Sequence, residues 1–255
     1  MKEGQRLWTR EELILAINLY AKIPFGQMDH RNKQVQELAS LIDRTPGAVA
    51  RRLGNFASMD PVQKARGIKG LSNAGPIAEN VWDEFYNNWD AAFEESERLL
   101  ANYKHVSVEK LYDFEISEIE KGIDKERMVK TRINQYRFRQ LVMTNYNNTC
   151  CITGIQQPEL LIASHITSWS KYENNRLNPM NGVCLNALHD KAFDNGLITI
   201  SADDYKIHIS SLLKKNKKEV INRYFIQFEG ESIILPKKFL PSPEFLKIHN
   251  ESFKQ

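Results

Sequence analysis

The sequence predicts an α+β protein, with an all-helical N-terminal unit followed by a C-terminal domain of short strands and a helix. Two patterns predict this. Over residues 8–56 apolar side chains recur at helical spacing, whereas after about residue 197 the segments LITIS, YKIHIS and ESIILP alternate or run apolar, as short strands do. A third observation divides the chain by charge. Residues 1–75 carry 12 Lys and Arg against 7 Asp and Glu, residues 76–126 carry 5 against 14, and residues 127–255 carry 18 against 11. The expected organisation is a helical unit over 1–75, an acidic helical connector over 76–130 and a last domain over 131–255. Two basic parts around an acidic one suit two surfaces that meet a polyanion, although solvated faces without a partner give the same distribution.

In the first unit, WTREELILAINLYAKI opens on Thr9 with Glu12 three residues later, a capping box, ahead of the stripe Leu13, Ala16, Ile17 and Tyr20. Val35, Leu38, Ala39 and Ile42 line a second helix. DRTPG then turns the chain, with Thr45 as N-cap and Pro46 at the first helical position, and Val49, Leu53 and Phe56 line a third. That third helix carries Arg51, Arg52 and Asn55 away from its apolar side. In a helix-turn-helix such a helix enters the major groove, where Arg contacts guanine or phosphate and Asn reads adenine. A plain three-helix bundle with solubilising arginines has the same pattern. The unit resembles the Myb/SANT-like and helix-turn-helix modules that begin with WT-x-EE.

Residues 57–75 are rich in turn residues and read as a linker. Val81, Phe85, Trp89 and Phe93, at strict i+4 spacing, predict one packed helix, and DFEISEIEKGIDKERM a solvated helix bridging the halves. TRINQYRFRQLVMTN at 131–145 predicts a basic helix. In it Ile133, Tyr136, Leu141 and Met143 pack, while Arg132, Arg137 and Arg139 remain for phosphates. The lysines of LLKKNKKEVINRYF either contact phosphates or face water.

Three pieces between these helices and the final strands carry the chemistry. CCITG at 150–154 predicts a tight turn that begins a hairpin. LLIASHITSW at 160–169 is strand-like and holds His165. NPMNG, with Asn181, is a loop leading into CLNALHDKAFDNG at 184–196, which reads as one short helix stopped by Asn195-Gly196. His189 borders the apolar face of that helix, in row with Leu185 and Phe193. By itself it is either a core histidine with a hydrogen bond or a ligand held for chemistry.

In this order and spacing the pieces resemble the HNH (ββα-metal) endonuclease family, in the restriction-type branch with C-x-x-T-G, A-x-H-I and N-G-x-x-L-x-x-x-H-x-x-x-F-D. The resemblance covers residues 132–200. It implies a ββα-metal nuclease domain acting on double-stranded DNA, in restriction or defence, and leaving a 5′-phosphate and a 3′-hydroxyl. It also implies His165 as general base, Asn181 as the residue holding its ring, and His189 as metal ligand. Phosphodiester cleavage needs a water deprotonated near neutral pH and a cation to absorb charge. Histidine suits the first task by its ordinary pKa, and a Mg²⁺-like ion, or Mn²⁺, the second. Many relatives place an acidic residue or histidine on the metal immediately before the base. Ser164 stands there, so a carboxylate from Asp194 or Asp190 is expected to complete the site. A non-catalytic DNA-binding protein on the same scaffold, or an RNA substrate, uses the same residues.

Some relatives brace the fold with two C-x-x-C pairs. No C-x-x-C occurs among Cys150, Cys151 and Cys184, so a structural zinc is not expected and the three read as core thiols. Neither a secretory signal nor an apolar run of membrane-spanning length is seen, and cysteines so placed fit a reducing cytoplasm. Cutting both strands with one site calls for two copies, which leaves a homodimer open.

Overall fold

The structure, a computed structural model, describes residues 6–112, 123–168 and 175–254. It is an α+β protein that divides into two compact units, Met1–Arg137 and Phe138–Gln255.

The first unit is helical. Helix α1 (Arg10–Lys22) starts at the Thr9 capping box, and α2 (Lys33–Leu41) at Asn32, whose side chain accepts from the next free amides. Helix α3 (Pro46–Met59) has Thr45 as N-cap and Pro46 behind it, and α4 (Pro61–Ala65) is capped by Asp60. Asp60 also accepts the buried Tyr20 hydroxyl at 2.7 Å. Residues 57–65 are thus more helical than their turn-rich composition predicts. Val81, Phe85, Trp89 and Phe93 are all buried, but on two helices: α5 (Pro76–Asn87) ends at Asn88, which caps α6 (Trp89–Lys104).

Both helices pack on α1 within the first unit, where a connector over 76–130 was expected. The apolar faces account for this: Trp82 stacks on Phe56 and meets Tyr20 edge-on, and burying those rings outweighs exposing a charged face. The acid itself is used in the interior. Buried Glu97 accepts from Lys22, from Asn18 at 2.8 Å and from the Tyr112 hydroxyl at 2.5 Å. Of the segment expected as a bridging helix, residues 113–122 lie outside the described residues.

Helix α7 (Ile123–Asn145) leads into the second unit, where β1 (Leu161–His165) pairs antiparallel with β2 (Gly182–Asn186). His165 stands opposite Gly182, and Ser164 opposite Val183. Helix α8 (Ala187–Asp194) follows β2 directly, with Asn186 as its N-cap, so the segment expected as one helix is a strand running into a helix. A second hairpin, β3 (Ile198–Ile200) with β4 (Ile207–Ile209), comes next, and ESIILP contributes only a bridge from Ser232 to Lys206. Short helices α9 (Ser211–Lys214) and α10 (Glu219–Tyr224) precede α11 (Pro243–Glu251). Helix α11 docks on α8 and β3: His249 stacks on Phe193, ring centroids 3.6 Å apart, and bonds to Thr199 at 2.8 Å.

Candidate active site

Strand alternation sends Ser164 and His165 to opposite faces of β1. The Ser164 hydroxyl is 2% exposed and has no hydrogen-bond partner among the described residues. His165 lies under α7, its ring stacked on Phe138 with centroids 3.5 Å apart and planes 14° from parallel. Its Nε2 lies 3.1 Å from the Arg176 carbonyl. A carbonyl only accepts, so in the neutral ring the proton is on Nε2 and the lone pair is on Nδ1. Burial favours that neutral form and brings the His165 pKa down to about 4, against a smaller opposing pull from the Arg176 carbonyl.

The loop that supplies this carbonyl is held by Asn181, which is buried. Asn181 Oδ1 accepts from the Thr167 amide at 2.9 Å and the Thr167 hydroxyl at 3.0 Å, and its Nδ2 donates to the Asn175 carbonyl at 3.1 Å. Its backbone carbonyl takes the Ile166 amide at 2.9 Å. One side chain thereby ties Thr167 to Asn175, the residue before Arg176. Arg139 ties the start of the same hairpin, donating to the Leu161 carbonyl at 2.7 Å and to Pro158 at 3.0 Å.

His189, expected as a metal ligand, is seated as a core histidine. It is 2% exposed, edge-on to Phe225 and Phe228. Its Nε2 donates to the Tyr224 carbonyl at 2.8 Å, and its Nδ1 accepts from Asn186 Nδ2 at 2.7 Å. Both nitrogens are committed, so a metal on either would displace one of these bonds. The same Asn186 amide lies 3.2 Å from the Thr153 hydroxyl and 3.6 Å from the Cys150 sulfur, and His189 belongs to that knot. Burial pushes the Cys150 thiol up, but the hydrogen bonds around its sulfur outweigh it and bring it to about 7. All three cysteines are buried and free.

Asp194 is exposed at the end of α8. Partial burial of its carboxyl and the nearby Asp190 carboxylate hold its pKa above the usual range. Among the described residues no three His, Cys, Asp or Glu side chains converge on one point. The expected pair His189 and Asp194 thus has no third such side chain beside it among the described residues.

The residues expected to meet nucleic acid divide sharply. Arg51 is exposed on α3. Arg52 instead donates to the Ala74 carbonyl at 2.7 Å and lies over the Trp8 ring, and buried Asn55 donates to the Leu71 carbonyl at 2.7 Å. Segment 70–74 thus runs along the α3 face that a recognition helix would present. Gly54 permits the approach, since a Cβ there would come within 2.9 Å of the Leu71 side chain. Arg137 is buried, with Nε donating to the Tyr112 hydroxyl at 3.1 Å, and so is not open to phosphate. Arg139 is half-buried on its two carbonyls.

Phe138 was not singled out by the sequence, and Gly182 only as the second letter of the N-G-x-x-L motif. Phe138 is one apolar residue among several in a basic helix, and only its phase with Leu141 and Val142 marks it as inward-facing. Gly182 sits in an Asn-Gly pair that reads as a turn. Residues 150–201 match the family model for the HNH endonuclease. No curated protein matches the chain.

Proposed function

We propose that this chain, which carries an HNH endonuclease domain over residues 150–201, is a DNA endonuclease that hydrolyses phosphodiester bonds with His165 as general base. The observation that supports this most is the tautomer of His165. A loop carbonyl takes the Nε2 proton, so Nδ1 bears the lone pair that removes a proton from the attacking water. The water oxygen bonds to phosphorus as the P–O3′ bond breaks, leaving a 3′-hydroxyl and a 5′-phosphate. Asn181 is a positioning residue, acting through the loop that carries Arg176.

HNH nucleases use divalent metal ions, which absorb charge on the phosphate. In this chain Asp194, with Asp190 beside it, is the donor on α8 for Mg²⁺ or Mn²⁺, and His189 serves the fold. Arg51 contributes a phosphate contact from the first unit. A role in restriction or defence, and a homodimer for cutting both strands, belong to the same reading. No described helix is long and apolar enough to cross a membrane.

The test is nicking of supercoiled plasmid with Mg²⁺ or Mn²⁺ by wild type and His165→Ala. Equal cutting by both removes His165 from the base role. A second reading, a non-catalytic DNA-binding protein on this scaffold, is favoured by the committed nitrogens of His189 and by Ser164 in place of a ligand. It requires salt-dependent DNA affinity without a divalent ion, and no cleavage with any metal or DNA form.

A further inference from the structure

We propose that Phe138 is a positioning residue for the general base, setting the plane of the His165 ring; this rests on His165 acting as that base. Phe138 is buried on α7 and lies almost flat on the imidazole. Two aromatic rings left to themselves prefer an offset or edge-to-face arrangement with centroids further apart. The close parallel contact is therefore imposed by the packing around it.

Gly182 lets that packing happen. It faces His165 across the hairpin, and a Cβ there would stand 2.4 Å from Val142 Cγ2 and 2.8 Å from Phe138 Cζ. Residue 182 has no side chain, so α7 settles against the backbone of β2 and brings the Phe138 ring over its neighbour on β1. The imidazole is then fixed twice. Phe138 defines the ring plane, and the Arg176 carbonyl at Nε2 defines the rotation within it. Together these two contacts aim Nδ1. A base that tips out of this orientation keeps its chemistry and loses its geometry, which lowers turnover more than substrate binding.

Phe138→Leu keeps an apolar side chain of fair size but removes the flat ring. We expect kcat for plasmid nicking to fall about 10- to 100-fold with KM for DNA unchanged. In a His165→Ala background the same substitution adds nothing further. The readout independent of activity is the NMR shift of the His165 ring protons. They lie over the phenyl face and move downfield when the ring is removed. Val142→Ala trims the same α7–Gly182 contact without touching the imidazole and keeps kcat within about threefold, separating positioning from loosened packing. Wild-type kcat in a folded Phe138→Leu protein overturns the proposal. So does an equal loss in Val142→Ala, or a His165 ring shift that does not move. If wild type cuts nothing, the nuclease reading fails, and the ring-proton shift alone decides whether Phe138 sets the ring.

Discussion

His165 on β1 and His189 on α8 were expected to work as a pair, base and metal ligand, yet their surroundings have opposite consequences. Both rings lie against aromatic side chains and both give Nε2 to a backbone carbonyl. They differ in what holds the rest of the ring. In His189 Nδ1 accepts from Asn186, the residue that also caps α8, so the ring closes a hydrogen-bonded knot joining α8 to Cys150 and Thr153. In His165 the ring lies flat on Phe138 and Nε2 meets the Arg176 carbonyl.

The largest expected effect is a crossover between the two. His165→Ala should cut nicking about 10²- to 10⁴-fold, the usual worth of a general base, with a small change in melting temperature. His189→Ala should do the reverse to stability. Removing a buried ring and stranding its partners costs about 3 kcal/mol, which lowers the melting temperature of a domain this size by about 10 °C. Thermal melts of both variants beside nicking rates at a temperature where both are folded check the pair. If His189→Ala abolishes cutting while its melt stays at the wild-type value, the ring is a ligand after all.

This comparison also shows where the sequence was legible. The helices of the first unit follow from Thr9, Asn32 and Thr45, because caps and periodicity are local signals. That His165 stands on a strand and Asn181 just ahead of the next element was legible from the local patterns. β2 was not: Gly182–Asn186 is buried at every position, so the period-two alternation that marks a half-exposed strand is absent and the segment passes for a helix start. Misplacing Leu185 on the helix put it in row with His189 and hid Asn186 as the cap. The roles of Arg52, Asn55 and Arg137 were illegible for a different reason. Their partners, Ala74, Leu71 and Tyr112, come from segments whose path no local pattern records.

Asn181 sharpens the comparison at smaller amplitude. Asn181→Ala should lower kcat about 10- to 100-fold, since it unfastens Thr167 and Asn175 together and lets the Arg176 carbonyl drift. Asn181→Asp keeps the acceptor for Thr167 and should fall between that variant and wild type. Full activity in Asn181→Ala would mean that the loop holds its shape without it.

The pH dependence of stability comes next. Burial brings the His165 pKa to about 4 when folded, against an ordinary value of 6.5. Between those values the unfolded chain holds a proton that the folded chain lacks, so stability declines as pH falls from about 6.5 to about 4. Above that window the ring is neutral in both states and contributes no slope. Urea titrations at pH 7, 5.5 and 4.5 should show His165→Gln losing less stability than wild type across the series. Parallel losses in the two proteins would place the ring in a more polar setting than its contacts indicate.

The smallest effect separates two polar residues of α3, Arg51 and Asn55, and carries the comparison into the first unit. Arg51 is exposed, and on the proposed reading Arg51→Ala should weaken DNA binding a few-fold at moderate salt and reduce the salt slope by about one, with the melt unchanged. Asn55 is spent on the carbonyls of segment 70–74, and Asn55→Ala should leave DNA affinity alone while costing about 1 kcal/mol of stability. Fluorescence anisotropy over a salt series beside thermal melts resolves the two. The reverse result, base-dependent affinity lost in Asn55→Ala, would mean that segment 70–74 leaves the α3 face when DNA binds.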